Sequence, residues 1–412
     1  MGFESLQSIS VDLLLILFVP VALSILLWSL YNLSIFTVGI RSRKKDDIIA
    51  RTDSPLISLI VPAKGEENVI PRLMDSLLSL DYPKEKIEVL VVEDGSTDRT
   101  GEICMKYASQ WPNLIHYLHK PLSNGKPSAL NFALQHAHGE IVGVLDADSV
   151  PDISLLERVA DRFAEPEVTA VQGITQTINA QANMLTKIVS LEETAWFKAI
   201  LKGKDRLSLF VPLTGSCQFI RADALRKFGG WQEDSLAEDV ELAARLLEGG
   251  HRVRFCEEAI SSQEAPSRLS HLFRQRSRWY RGYIETAIKY GKLLRRPDRS
   301  RFDAEISLAG PLLLSASFAN YLLSWLVFTY SATLLARVFA YLMVGLASIV
   351  LLALGFALVY TAKPRRLSNL LWVPFIYAYW FLQTVMAVYA LFSILLRRPR
   401  TWTKTQKTGS IA

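Results

Sequence analysis

The sequence predicts an α/β domain on a mostly parallel sheet, flanked by transmembrane helices, and three observations predict it. Half of the 412 residues are apolar and the mean hydropathy is +0.20, unusual for a soluble chain of this length. The longest apolar blocks stand near the two ends and bracket a polar middle. Within that middle, short runs of buried-strand character alternate with helical stretches, the pattern of a helix-covered sheet.

Residues 11–38 exceed the roughly 20 apolar residues that cross a bilayer and carry no charge after Asp12. The preceding decapeptide has Glu4 as its only charge, which argues against a cleaved signal peptide and for a retained helix over 1–40. A second block fills 306–361 and a third 369–396, giving a C-terminal membrane region over 305–397 and a basic tail over 398–412. Basic residues gather at the block edges: Arg41 to Lys45, Lys292 to Arg301, Lys363 to Arg366, and Arg397 to Arg400. The net charge of +6 is therefore read as positive-inside signal and contact with membrane lipids, and no basic and aromatic stripe suggests nucleic acid.

Because Arg41 to Lys45 follow the first helix, the reading places the chain in the plasma membrane with the domain over 52–290 in the cytosol. Cys104, Cys217 and Cys256 are too scattered for a metal spacing and fit a reducing compartment. One helix before the domain and three after it would put the basic tail outside, although its charge argues for inside. One segment is therefore expected to be interfacial or re-entrant, near Pro311 or Pro374, with the tail in the cytosol.

From Leu56 the expected order is a strand (ISLIVPA), a helix near 67–80, a strand (IEVLVVED), a helix near 98–110, a strand (LIHYLH), a helix near 127–137 and a strand (IVGVLDAD). Such sheets bind ligands outside the carboxyl ends of their strands. Glu93 and Asp94 end one strand there, and Asp146 and Asp148 another. Turn chemistry alone explains either pair singly, as in Asp94-Gly95-Ser96; four carboxylates at one edge call for a neutralising cation. No Gly-x-Gly-x-x-Gly follows the first strand, and Asn124-Gly125-Lys126-Pro127 lacks the Walker spacing.

In a strand, Asp146 and Asp148 would share a face while Ala147 points away. That arrangement suits Mg²⁺ or Mn²⁺, which takes one or two carboxylates and completes its shell with water and diphosphate oxygens. Ser235-Leu236-Ala237-Glu238-Asp239 opens a helix; Ser235 with Glu238 reads either as a capping box or as a functional acid, whereas capping asks for no acid at Asp239. Gln275, Arg278 and Trp279 fall at i, i+3 and i+4 on one helical face. Arg278 suits a diphosphate and Trp279 a sugar face, while Arg274, Arg276 and Arg281 equally suit a helix lying on the membrane.

VVEDGSTD, DAD, AED and QRSRW, in this order and at these separations, resemble the family 2 glycosyltransferases with a GT-A, Rossmann-like catalytic domain. The likeness is to the membrane-embedded branch that holds cellulose, chitin, hyaluronan and poly-N-acetylglucosamine synthases, and it covers residues 55–290. Carried over residue by residue, it implies that Glu93 and Asp94 hold the nucleoside, Lys126 and Asp146 contact the donor, and Asp148 ligates the metal. It further implies that Asp239 is the general base and that Gln275, Arg278 and Trp279 hold diphosphate and acceptor sugar. Glu238 and the stretch from Thr214 to Trp231 fall on the acceptor side. Glu93 stands where Asp is commoner, and Ala237 where Thr usually precedes the Glu-Asp pair. The tail around Trp402 resembles the segment that closes over bound nucleotide, and reads equally as a juxtamembrane basic tail.

One carboxylate base without an evident carboxylate nucleophile implies a single in-line displacement that inverts the anomeric carbon. The resemblance implies a nucleotide-sugar donor, UDP-linked, and a processive polysaccharide synthase extending a growing glycan. The alternative is a lipid acceptor that receives one or a few sugars. A non-catalytic receptor with a relict sugar-binding domain is disfavoured by intact Asp94, Asp148, Asp239 and Arg278.

Overall fold

The computed structural model describes residues 3–41, 53–295, 298–330, 334–361, 366–400, 407 and 409. Trp402, on which the reading of the tail rests, lies outside the described residues. In chain order the elements begin with α1 (Phe3–Arg41), β1 (Ile57–Ala63), α2 (Ile70–Leu78), β2 (Ile87–Glu93), α3 (Thr100–Gln110), β3 (Ile115–His119), α4 (Lys126–Leu134) and β4 (Ile141–Val144). They continue with β5 (Val150–Pro151), α5 (Leu155–Arg162), β6 (Val168–Thr177), α6 (Met184–Ala195), α7 (Lys202–Arg206), β7 (Gln218–Arg221), α8 (Ala222–Lys227), α9 (Glu238–Glu248) and β8 (Arg252–Gln263). The chain then forms α10 (Leu269–Tyr290), α11 (Arg299–Leu308), α12 (Gly310–Tyr330), α13 (Leu334–Thr361) and α14 (Val373–Leu395).

Among the described residues, eight strands form one sheet in the order β3-β2-β1-β4-β7-β6-β8-β5. β3, β2, β1 and β4 pair in parallel, as does β6 with β8, while β7 runs antiparallel to both β4 and β6. The continuous apolar runs of the parallel strands follow from burial on both faces. In β1, Ile57, Leu59 and Val61 enter one core and Ile60 the other; in β2, Val89 and Val91 oppose Leu90 and Val92 in the same way.

Among the described residues, four helices are long and apolar enough to cross a membrane: Ile16–Arg41, Gly310–Thr329, Tyr341–Thr361 and Leu367–Leu395. Pro311 and Pro374 do not interrupt helices; each stands in a first turn, where its missing N–H costs no bond. α1 reaches away from the α/β domain, since Phe18 and Ala22 pack with Val327 at one end and Ile35 and Phe36 with Leu191 and Ala195 at the other. α14 follows a different course, touching the domain along its length. Ile376 packs in the cluster with Leu191, Tyr379 Oη donates to Glu192 at 2.7 Å, and Tyr280 Oη donates to Gln383 at 2.7 Å. Further along, the rings of Tyr389 and Phe273 lie 5.3 Å apart, and Arg281 donates to the carbonyls of Arg398 and Pro399.

Candidate active site

β1 and β2 end in register at Ala63 and Glu93, so the loops that follow share one edge of the sheet. The Asp94 amide donates to the Ala63 carbonyl at 2.9 Å, which turns the chain across the end of β1. The Asp94 carboxylate accepts from Ser123 Oγ at 2.5 Å and pairs with Lys120 at 3.3 Å. Glu93 turns into the loop instead: its carboxylate accepts from the Ser96 amide and faces His119 Nδ1 at 2.7 Å. Burial pushes this carboxyl up, but the bonds from Ser96 and His119 outweigh it and hold Glu93 below its usual range. Glu93 therefore orders the turn that carries Asp94.

The expected strand geometry of Asp146 and Asp148 is corrected. β4 ends at Val144, and the two acids lie in a turn in which the Ser149 amide donates to the Asp146 carbonyl at 2.9 Å. Their carboxylates consequently have different neighbours. Asp146 Oδ1 lies 2.6 Å from Lys126 Nζ, whereas Asp148 Oδ2 accepts from the Glu264 amide at 2.9 Å and from Lys407 Nζ at 2.6 Å. Burial raises the Asp148 carboxyl, and Lys407 with the Glu264 amide more than offsets it, leaving the group lowered.

Lys126 joins the two halves of the site. Its ammonium, brought in by the first turn of α4, also donates to the Gly215 carbonyl at 2.8 Å. Gly215 has φ +79°, and a Cβ there would stand 3.1 Å from Asp239 Oδ2, so this loop is pressed between Lys126 and Asp239. Burial pulls the Lys126 ammonium down, while Asp146, Glu238 and Asp239 more than restore it. Asp239 is pushed up to about 7, first by burial and then by the charge of Glu238.

α9 starts with Ala237 as N-cap, and Ser235 Oγ accepts from the Ala237 amide at 3.2 Å. The capping box of Ser235 and Glu238 therefore does not form; Glu238, 5 % exposed, is the first helical residue and faces the charge of Lys126.

α10 carries Gln275, Arg278 and Trp279 on one continuous helix, all half-buried. Arg278 Nη1 donates to the Leu236 carbonyl at 3.1 Å, and Glu238, Asp239 and Asp146 act on its charge against the desolvation that lowers it. The Arg276 guanidinium stands 4.5 Å over the Trp279 ring and pairs with Glu192 at 2.9 Å. The acceptor role expected of Trp231 is corrected: its side chain is 1 % exposed, inside the core beside β7 and α9, and its backbone is clasped by Asn131. Sequence reasoning missed Ser123, His119, Glu264 and Lys407. Only the basic character of the tail signalled Lys407, because a contact across 259 positions leaves no local pattern.

The fold and the ordered site point to one class of enzyme. Residues 54–282, more than half of the chain, match the family model described as "Glycosyltransferase like family 2", and the chain belongs to that family. It is 34% identical over 241 residues to the beta-monoglucosyldiacylglycerol synthase of Synechocystis sp., covering 57% of this chain and 49% of the relative. To the poly-beta-1,6-N-acetyl-D-glucosamine synthase of Staphylococcus epidermidis it is 26% identical over 234 residues, 57% of this chain and 56% of the relative. The aligned part thus spans about half the length of the curated relatives it matches. Among solved structures, the mannosyltransferase PcManGT from Pyrobaculum calidifontis, in complex with GDP-Man and Mn²⁺, shares the fold. The TM-score is 0.64 at 22% identity over 94% of this chain and 100% of that one.

Proposed function

We propose that the chain is an inverting, metal-dependent glycosyltransferase that moves a single sugar from a nucleoside-diphosphate donor to a lipid acceptor at the membrane surface. The observation that carries this reading is the Lys126 bridge, which holds the donor-edge acid Asp146 and the loop against Asp239 within one bonding distance of the same ammonium. Asp239 takes the proton of the acceptor hydroxyl as that oxygen bonds to the anomeric carbon. The bond from this carbon to the diphosphate oxygen breaks, and the nucleoside diphosphate leaves with the electron pair toward Arg278. Asp94 and Lys120 border the nucleoside, and Gln275 and Trp279 border the acceptor.

The donor set fits a divalent cation that arrives with its substrate. Asp148 already holds an ammonium at 2.6 Å, so the position accepts a cation, and among the described residues no cluster of three or more His, Cys, Asp or Glu offers a closed metal cage. Mg²⁺ or Mn²⁺ bound at Asp148 would neutralise the diphosphate charge. The Mn²⁺ in the complex of PcManGT supports this choice.

Two observations favour a lipid over the growing glycan expected at first. The helix that carries Gln275 and Trp279 is seated on α14, one of the helices apolar enough to cross a membrane, and in this reading the acceptor side adjoins the lipid. Identity is also higher to the lipid glycosyltransferase than to the polymer synthase. In this reading α1, α12 and α13 cross the bilayer and α14 lies along its cytosolic face, which returns the tail to the catalytic side. The test is incubation of purified enzyme with labelled UDP- and GDP-sugars and a panel of membrane lipids, followed by product sizing. A lipid carrying one sugar supports the proposal; a polymer restores the synthase reading, and failure of every donor overturns both.

A further inference from the structure

A cavity of about 190 Å³ lies between the end of α7, the second half of α9, the start of β8 and the first turn of α11, and no residue placed above at the donor or the acceptor lines it. Phe210, Val211, Leu247 and Val253 give it an apolar wall. Arg206, Ser208, Arg252 and Ser300 give it a polar one, on which Ser208 and Arg252 are exposed. Its lining holds three arginines against one carboxylate, Asp205, and both oxygens of that carboxylate are engaged. Oδ1 accepts from Arg254 Nε at 2.8 Å and from the Phe255 amide at 3.1 Å, and Oδ2 from Arg254 Nη2 at 3.3 Å. Arg254 pairs further with Glu165 at 2.9 Å, whereas among the described residues no carboxylate pairs with Arg252. Ser208 holds φ +55°, the left-handed conformation that glycine ordinarily takes just past a helix end. Its amide donates to the Asp205 carbonyl at 3.0 Å and the Leu209 amide to the Lys204 carbonyl at 2.8 Å, so a hydroxyl is kept on the lining at a position that favours glycine.

The elements around this cavity run directly into the apolar helices. α7 lies flush on α1, since a Cβ at Gly203 would stand 2.2 Å from the Ile35 carbonyl oxygen. α11, which supplies Ser300, ends at Leu308, two residues before α12 begins at Gly310. Leu207, beside Ser208, and Phe302, two residues past Ser300, expose apolar side chains. A guanidinium recognises a phosphate in two-pronged fashion, and a basic pocket beside spanning helices suits an acidic headgroup. We propose that this cavity binds the phosphoryl headgroup of an acidic membrane lipid. Arg206 and Arg252 take the phosphate, Ser208 and Ser300 donate to it, and Leu207 and Phe302 meet the acyl chains. A soluble phosphate ester would use the same arginines, but it has no part for the apolar wall or for the exposed Leu207 and Phe302. The proposal rests on the reading above that α1 and α12 cross the bilayer, and not on the donor or the acceptor.

The test presents the full-length protein, in mild detergent, with an equimolar mixture of phosphatidylglycerol and phosphatidylcholine and counts the bound lipid by native mass spectrometry. Wild type should retain phosphatidylglycerol in preference. Arg206→Gln combined with Arg252→Gln should weaken that retention by on the order of tenfold at an unchanged unfolding temperature. Arg397→Gln combined with Arg398→Gln, which removes the same charge from the end of α14, should leave it unchanged. Equal weakening by the two double variants would reduce the effect to diffuse charge, and equal retention of the two lipids would leave no site for an acidic headgroup; either overturns the proposal. Phe302→Ser, at an exposed position, should also weaken lipid retention, and an unchanged value would overturn the assignment to a lipid. Inorganic phosphate and glycerol 3-phosphate serve as competitors, and binding of either as tight as that of phosphatidylglycerol would give the cavity to a soluble phosphate and overturn the lipid. Carbonate washing of membranes tests the membrane reading separately. Release of the chain would sink that reading and the proposal with it, whereas a chain that stays embedded and shows no preference for phosphatidylglycerol overturns the proposal alone.

Discussion

The Arg278 guanidinium donates to the carbonyl of Leu236 at 3.1 Å, which fixes α10 against the segment that opens α9 two residues before Glu238. One turn further along α10, Gly282 lets the helices meet: a Cβ there would come within 2.6 Å of the Ala237 Cβ and 2.9 Å of its amide. Gly282→Val is expected to push α10 away and misplace Arg278 relative to Asp239. A shift of about 1 Å at reacting groups costs roughly 10²-fold in turnover. Steady-state kinetics should show that loss with the circular dichroism spectrum retained.

Asp239→Asn removes the proposed base and should slow transfer by about 10²- to 10⁴-fold. Donor binding should persist by calorimetry, because the neighbours of Asp94 and Asp148 are untouched. Loss of binding together with turnover would make Asp239 a donor ligand.

The pH profile follows from the same group. Burial, then Glu238, pushes Asp239 up to about 7, and only its deprotonated form accepts a proton. Transfer should therefore rise as pH increases through about 7 and fall about tenfold per unit below it. Glu238→Gln removes one of the two raising influences, so the midpoint should move to lower pH. A profile flat from pH 5 to 8 would exclude Asp239 as the titrating base.

Much of this was legible in the sequence. The bounds of the first strand, Ile57–Ala63, coincide with the run ISLIVPA because a strand buried on both faces is apolar throughout. The placement of the acids at one sheet edge followed from strand alternation. Their orientations did not: Asp146 and Asp148 lie past the end of β4, where a turn sets each carboxylate against a different lysine. The likeness of the stretch ending at Trp231 to an acceptor-side segment implied a place beside the acceptor, whereas its side chain lies in the core against partners far along the chain. α14 is apolar enough to cross a membrane, and hydropathy gave no sign of its polar bonds to the domain, because the partners Glu192 and Tyr280 lie on distant segments.

A buried ion pair ties α7 to α11, the helix that leads into α12. Lys204 donates to both oxygens of Asp303 at 2.7 Å, and the Asp303 side chain is fully buried, also accepting from the Phe210 amide and Tyr31 Oη. Asp303→Ala leaves the ammonium uncompensated and should destabilise by about 3–5 kcal/mol. Thermal unfolding in detergent should show the drop, and Lys204→Met combined with Asp303→Leu should recover a large part of it.

The course of α14 predicts the side on which the chain ends. A cysteine appended after Ala412 should react with an impermeant maleimide from the same side of sealed vesicles as one placed at the exposed Lys86 of the catalytic domain. Labelling from opposite sides would mean that α14 crosses.

The central claim, single displacement onto a membrane lipid, is tested most directly by the proton NMR coupling constant at the anomeric carbon of the purified product formed from an α-linked nucleotide sugar. The account predicts one β-linked sugar on a lipid, absent from reactions of Asp239→Asn over the same interval. An α-linked product, or a glycan that lengthens with time on one acceptor, would contradict it.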